Sequence, residues 1–371
     1  MDANIQLGKI WGIPLGLHLS WFVIFGLVTW SLAAGYLPGE YPSLPQVAYW
    51  LLGAVTSLLF FGSVLLHELG HSYIALRNDI PVRSISLFIF GGVAQIEREP
   101  RTPGADFRIA IAGPVTSLGL AGVFSAFWYF NQGNPYLAAP SLWLGRINLM
   151  LGVFNLIPGF PLDGGRVLRA SLWKMMGSYS RATQAASLSG QAVAFGFIAF
   201  GLLSIFTGNL FNGAWLVFIG WFLQNAAANS YAQANLRKML GDVTVGQVML
   251  TECPHVSGRI SLEQLVEEKI LTGAQRYFFV DEDGWLQGLL TLKDITAVPR
   301  KDWGRILVQE AMVPLKRLVQ VSPQLKVLEA LQAMDDANVA QVPVMEGERM
   351  VGLLTREQIL RYVRVLGEDG S

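Results

Sequence analysis

Residues 48–75 read AYWLLGAVTSLLFFGSVLLHELGHSYIA, and the fold turns on this stretch. It is long enough to cross hydrocarbon as a helix, which takes about 20 apolar residues. Inside it stands His67-Glu68-Leu69-Gly70-His71. Residues four apart on a helix share one face, so both imidazoles can reach a single zinc ion, with Glu68 beside them as a candidate base. Ionisable groups within an apolar span are costly and usually functional. The alternative is a polar cluster that only packs helices.

The rest of the chain divides around this segment. Of 371 residues, 52% are hydrophobic and 15% charged, against about 25% charged in a soluble domain. Residues 1–240 hold 13 Lys/Arg and 8 Asp/Glu, whereas residues 241–371 hold 14 and 19. A charge-poor membrane domain over 1–240 followed by a charge-rich soluble tail is expected. Six spans are expected: Leu15–Tyr36, Ala48–Ala75, Phe107–Phe130, Ser141–Ile157, Gln184–Phe206 and Leu210–Ala228. Leu15–Leu32 is too long for the apolar part of a cleaved leader, and reads as a retained span. Segment 77–108 carries Arg77, Arg83, Arg98, Arg101 and Arg108, and segment 158–183 carries Arg166, Arg169, Lys174 and Arg181. Loops 37–47, 131–140 and 207–209 have no Lys or Arg. The positive segments should be cytoplasmic, with both termini inside a multi-pass cell (inner) membrane protein. Zero net charge gives no electrostatic case for nucleic acid, and the single cysteine, Cys253, excludes an intrachain disulfide or a thiolate zinc cluster.

Between the second and third spans, residues 80–96 read IPVRSISLFIFGGVAQI. The β-branched and aromatic content and the Gly91-Gly92 pair predict strand and turn, placed at the cytoplasmic edge because a strand in lipid leaves its backbone groups unpaired. After Leu240 the chain repeats itself. Val248-Met249 matches Ala311-Met312, Ile260-Ser261-Leu262 matches Leu325-Lys326-Val327, and Gly288-Leu289-Leu290-Thr291 matches Gly352-Leu353-Leu354-Thr355, at offsets of about 64 residues. Two copies of a small α/β unit, over 241–300 and 301–371, fit this spacing.

A catalytic zinc site needs a third protein ligand and an open position. Of the eight acidic residues before position 240, Glu68 and Asp163 are read as the two in or against apolar spans. Asp163 closes residues 155–165, NLIPGFPLDGG, where two prolines break the helix and the glycines permit tight turns. Irregular backbone at membrane depth is expected where it lines a cavity or is buried in protein. His18 and His255 are the remaining histidines, and an Asp that merely caps the next helix is the other reading of Asp163. Arg146 and Asn148 fit either a polar cavity or the outer interface.

His67–His71 in a span, followed by Asn155, Pro158 and Asp163-Gly164, resembles the site-2 protease family of intramembrane metalloproteases, over roughly Gly12 to Ala228; Gly113-Pro114 also fits its pattern. The resemblance implies one zinc per chain bound by His67, His71 and Asp163, Glu68 as catalytic base, and Asn155 as a stabiliser of substrate or oxyanion. It implies hydrolysis in or near the transmembrane segment of a membrane protein, an anti-sigma factor or another single-span regulator. The repeat resembles a pair of cystathionine-beta-synthase (CBS) domains, over roughly Val243–Val298 and Ile306–Leu366. That resemblance implies a module that binds ATP, AMP or a related adenosine nucleotide, or one that makes a homodimer. The ribose-binding pattern stands as Thr291-Leu-Lys-Asp294 in the first copy, whereas the second, Thr355-Arg-Glu-Gln358, lacks the aspartate. A CBS-regulated transporter or channel, or an inactive scaffold with the protease fold, are the competing readings; neither requires the intact metal motif.

Overall fold

A computed structural model describes residues 4–89, 91–96, 98–251, 254–271, 277–282, 285–347 and 349–368; Cys253 lies outside them. The chain begins with a hairpin, β1 (Ile5–Ile10) and β2 (Ile13–Leu17), turned at Trp11-Gly12. Both turn residues have positive φ, 51° and 81°, as two-residue hairpin turns require. The expected start of the first span at Leu15 is therefore corrected. Pro14 and Gly16 disfavour helix, and the alternating Ile13, Leu15 and Leu17 bury one strand face. Helix begins at α1 (Ser20–Ser31) and runs through a π-turn at Leu32–Tyr36 into α2 (Leu37–Glu40).

The helix with the histidine pair is α3 (Gln46–Leu76), which starts directly after Pro45. Residues 80–96 form the expected strands, β3 (Val82–Phe88) and β4 (Gly91–Ile96). The sheet runs β1-β2-β3-β4, with β2 parallel to β3 and the other pairs antiparallel. Its apolar face sits on the turn of α3 that holds the motif: Ile13, Leu15, Val82 and Ile85 form one buried cluster with Leu69, Ala75 and Ile109.

Five further helices follow. Helix α4 (Pro103–Phe130) has Pro at its first position and a Thr102 cap that accepts from the Ala105 N–H. Asn134 caps α5 (Pro135–Asn155) in the same way. Helix α6 (Asp163–Met176) stops at Gly177, whose φ of 68° suits a residue without Cβ. Then come α7 (Tyr179–Phe206) and α8 (Leu210–Leu240). Among the described residues, five helical segments are long and apolar enough to cross a membrane: Ser20–Glu40, Gln46–Leu76, Pro103–Phe130, Pro135–Asn155 and Tyr179–Phe206. The sixth expected span is helical within α8, but Asn212, Gln224 and Asn225 dilute it and it is not among the five. Outward side chains such as Phe130, Phe206, Trp30 and Trp50 are exposed and apolar, as lipid contact demands. Trp21 is instead buried, stacked on Phe25 with Phe61 at its edge.

Contacts divide the chain into two units, Met1–Ala234 and Asn235–Ser371. The second contains α9 (Val245–Val248), β5 (His255–Ser257), α10 (Leu262–Leu265), β6 (Tyr277–Glu282), β7 (Trp285–Thr291), α11 (Leu292–Ala297), α12 (Val308–Ala311), β8 (Val313–Pro314), α13 (Val327–Asp336), β9 (Gln341–Glu346), β10 (Arg349–Thr355) and α14 (Arg356–Glu368). Each repeat is a hairpin followed by a helix, β6-β7-α11 and β9-β10-α14. Their leading segments are exchanged. Leu250 bridges to Leu353 of the second hairpin, while β8, which follows Met312, pairs with β7 of the first. Val245 and Val248 accordingly lie in the core of the second repeat, and Val308 in that of the first. Phe279, Leu289 and Leu353 join the two cores. The sequence repeat thus forms one interlocked α/β pair.

Candidate metal centre

The structure brings His67, His71 and Asp163 together. His67 and His71 lie one turn apart on α3 and are 5% and 4% exposed. Asp163 is the first residue of α6, where the positive end of the helix dipole favours a carboxylate. His67 Nε2 and His71 Nε2 are 3.2 Å apart, and Asp163 Oδ2 lies 3.1 and 3.2 Å from them. His18 and His255 are not part of this group: His18 pairs with Ser20, and His255 with Asp281 in the second unit.

The hydrogen bonds behind the rings decide what faces the centre. His71 Nδ1 lies 2.7 Å from the Ile109 carbonyl, which can only accept, so Nδ1 carries the proton and the neutral ring presents a lone pair at Nε2. His67 Nδ1 is 2.8 Å from Ser117 Oγ, which can accept in the same manner. Two imidazole lone pairs and a carboxylate oxygen then converge, an arrangement that repels itself unless a cation lies between them. Tetrahedral zinc with bonds of about 2.0–2.1 Å spaces its ligand atoms by about 3.3 Å, close to the observed separations. The donor set of two nitrogens and one oxygen also suits zinc. Gly113 of α4 adds a second sign of fit: a Cβ there would overlap both Nε2 atoms. The residues present therefore fit a zinc ion with one position left open.

Glu68 follows His67 and is partly exposed; its carboxylate accepts from the Ala94 backbone N–H of β4. Gly92 of β4 packs on the Glu68 side chain so closely that a Cβ would stand 2.6 Å from Glu68 Cγ. The edge strand of the sheet thus touches the candidate base. Asn155 is the last residue of α5 and opens the turn leading to Asp163. That turn folds back onto the first residues of α6. A Cβ on Gly164 would strike the Leu156 and Ile157 carbonyls, and one on Gly165 the backbone of Gly159 and Phe160. The residues after Asp163 are glycines because backbone fills the space.

One reading of the acidic residues is corrected. Besides Glu68 and Asp163, the two acidic residues expected in or against apolar spans, Asp106 is fully buried in the first turn of α4 and bound to Arg169 of α6 at 2.7 and 2.8 Å. Arg169, expected as a loop charge, is 7% exposed. Sequence reasoning also passed over Ser117. Its only signal was its place on the α4 face shared with Gly113, at helical spacing. Asn148 is buried and donates to Ser63 Oγ at 3.3 Å, while Arg146 is exposed and meets Glu40 at 3.4 Å. In the second unit, Thr291 and Asp294 form a capping box at the start of α11. Asp294 Oδ2 accepts from the Thr291 N–H at 2.9 Å and from Thr291 Oγ1 at 2.7 Å.

Comparison with known proteins identifies the family. The Peptidase family M50 profile matches residues 55–141 and 134–199, and the CBS domain profile matches residues 308–365. A Mycobacterium tuberculosis protein named "Putative zinc metalloprotease Rip3" is 37% identical over 98% of this chain and 94% of its own length. Zinc metalloprotease MJ0392 of Methanocaldococcus jannaschii is 32% identical over 99% and 98%. The solved site-2 protease from Methanocaldococcus jannaschii is 35% identical, covers 61% of this chain and 94% of its own, and superposes with a TM-score of 0.42. Identity at this level over nearly whole chains, with the HELGH motif intact, makes this chain a member of peptidase family M50, a zinc metalloendopeptidase of the site-2 protease type with a C-terminal pair of CBS domains.

Proposed function

We propose that the chain hydrolyses a peptide bond in or near the transmembrane segment of a membrane-protein substrate, with His67, His71 and Asp163 as zinc ligands and Glu68 as catalytic base. The observation that carries this reading is the convergence of three metal-binding atoms within 3.2 Å, two from the apolar helix α3 and one from the start of α6, with the Glu68 carboxylate next to them. Zinc in such a site polarises a carbonyl and makes water acidic enough to act near neutral pH. Glu68 takes the proton of the attacking water and delivers it to the leaving amine. Asn155, at the mouth of the turn leading to Asp163, holds the substrate backbone or the developing oxyanion. Peptide bonds in a helix are shielded by their own hydrogen bonds, so the substrate must unwind. Strand addition to the outer edge of β4 would hold it extended, and contact between β4 and Glu68 supports that path. The substrate is a single-span regulator of the anti-sigma-factor kind.

Segments 77–108 and 158–183 face the cytoplasm in this reading, and both termini do so once α8 serves as a sixth crossing of the inner membrane. The exposed Phe211, Trp215 and Trp221 of α8 support that crossing. Residues 1–240 act as the protease, and the repeats 241–300 and 301–371 as a regulatory pair that binds an adenosine nucleotide and joins two chains in a homodimer. The cap uses Asp294 Oδ2, which leaves Oδ1 to accept from a ribose hydroxyl. A ligand changes activity only if it favours one arrangement of the chain over another; a tenfold preference amounts to about 1.4 kcal/mol.

Zinc should be present at about one ion per purified chain, and His67→Ala, His71→Ala and Asp163→Ala should each lose most of it in elemental analysis. Full zinc retention by Asp163→Ala would assign the third ligand elsewhere. Glu68→Gln should keep the metal and lose cleavage by about 10²–10⁴-fold, the usual contribution of a positioned base. Near-normal turnover of a membrane substrate by that variant would remove Glu68 from the role. Single cysteines placed in 37–47 and 131–140, in a Cys253→Ser background, should react with an impermeant thiol reagent added outside cells. Labelling at 98–105 in their place would invert the topology. Calorimetry should detect AMP or ATP on the wild type, with binding weakened at least tenfold in Asp294→Ala. No binding at millimolar nucleotide would leave dimerisation as the tail's role.

A further inference from the structure

Asp106 and Arg169 form a buried ion pair to which the chemistry above assigns no part. The pair is bidentate: Arg169 Nε donates to Asp106 Oδ2 at 2.8 Å and Nη2 to Oδ1 at 2.7 Å. The third guanidinium nitrogen donates to the Tyr179 hydroxyl at 2.7 Å. The cation also lies against the rings of Phe160 and Tyr179, 5.2 and 4.8 Å from their centroids. Arg166 reaches Asp106 Oδ1 at 3.5 Å, and Tyr179 is hydrogen-bonded to Glu99. One carboxylate of α4 therefore ties together α6, the turn that leads into it, and the start of α7.

The position of this pair on α4 is informative. Asp106, Ile109, Gly113 and Ser117 follow one another at steps of three, four and four, so they lie on a single face of the helix. The Ile109 carbonyl holds His71, Ser117 holds His67, and Gly113 leaves room for both Nε2 atoms. The two histidines are thus oriented directly from this stripe. Asp163 comes from another helix and is reached from the stripe through Arg169, six residues along α6. Two apolar side chains of similar volume could hold two helices together without the cost of removing charges from water. What they would lack is the planar fork, which fixes separation and rotation together.

We infer that Asp106 and Arg169 are positioning residues for Asp163. The fork sets the height and rotation of α6 so that Asp163 Oδ2 stays at 3.1–3.2 Å from the two imidazoles. This inference rests on the zinc-ligand reading proposed above.

The test uses the full-length chain in detergent and two substitutions. Arg169→Lys keeps the charge and loses the fork; the double Asp106→Leu/Arg169→Met removes both charges and keeps the volume, a change that commonly preserves folding. Zinc affinity is measured by competition with a chromogenic chelator, and ligand geometry by the visible absorption of cobalt-substituted protein. Both variants should bind one metal about 10–100-fold more weakly than wild type, the usual effect of removing an orienting partner. Their cobalt bands should shift or weaken, and kcat should fall with little change in KM. Wild-type zinc affinity and an unaltered cobalt spectrum in both variants would overturn the inference, even if they melt at lower temperature, because the pair would then be only a brace. His67→Ala separates this failure from failure of the underlying reading. If His67→Ala loses zinc while the two variants keep it tightly, the positioning role alone falls; if His67→Ala also keeps zinc, the metal centre itself is misassigned.

Discussion

Three electron pairs aimed at one point repel each other, and a fold that holds them there without bulk water must supply both the counter-charge and the rigidity. That constraint organises the membrane unit. His67 and His71 come from α3, Asp163 from α6, and α4 runs between them with a face that meets both helices. The two imidazoles are each held from behind, at 2.8 Å by Ser117 Oγ and at 2.7 Å by the Ile109 carbonyl. Gly113 brings the α4 backbone within reach of both rings. A bulkier residue at this one position would force α4 away from α3 and weaken both hydrogen bonds together.

The sheet meets the same demand from the other side. Strands near lipid must have their backbone groups paired, and β2 and β3, the inner strands, are paired on both edges. The apolar face of the sheet is seated on Leu69, between the two histidines, so the motif turn of α3 is clamped between the sheet and α4. β4 remains an edge, and that edge adjoins Glu68. The parts of the fold that satisfy the backbone in an apolar medium are therefore also those that place Glu68 and leave one strand edge near it.

The motif helix, the β3-β4 hairpin and the repeat in the tail were legible in the sequence because each rests on a local pattern: i and i+4 histidines, a β-rich run ending in paired glycines, and matched segments at constant offset. Three features were not. The N-terminal hairpin was hidden because Leu15, Leu17 and Leu19 extend the apolar run of α1, and hydropathy does not distinguish a strand from a helix; Pro14 and Gly16 were the signal. The Asp106–Arg169 pair was hidden because both residues lie in arginine-rich stretches that read as solvated loops, and burial depends on partners 63 residues apart. The exchange of leading segments between the tail repeats is a tertiary arrangement, and the repeat offsets are the same whether or not it occurs.

The capping box in the tail shows how one short pattern can serve two physical ends. Thr291 and Asp294 are the residue types a helix start requires: the threonine hydroxyl faces the Asp294 N–H at 3.4 Å and the aspartate accepts from the Thr291 N–H at 2.9 Å. The second repeat keeps only half of this, with Thr355 Oγ1 accepting from the Gln358 N–H at 3.1 Å. A glutamine at that position is neutral and longer by one methylene, and it does not close the box in the observed arrangement. The difference between the copies is therefore structural as well as chemical. The first repeat holds a carboxylate fixed at a helix N-terminus with one oxygen committed to the cap, while the second presents a neutral amide there. Any ligand that needs an anchored negative charge meets two unequal sites in a module whose cores are otherwise built alike, and the asymmetry comes from the single Asp-to-Gln difference within a repeated Thr-x-x-Asp pattern.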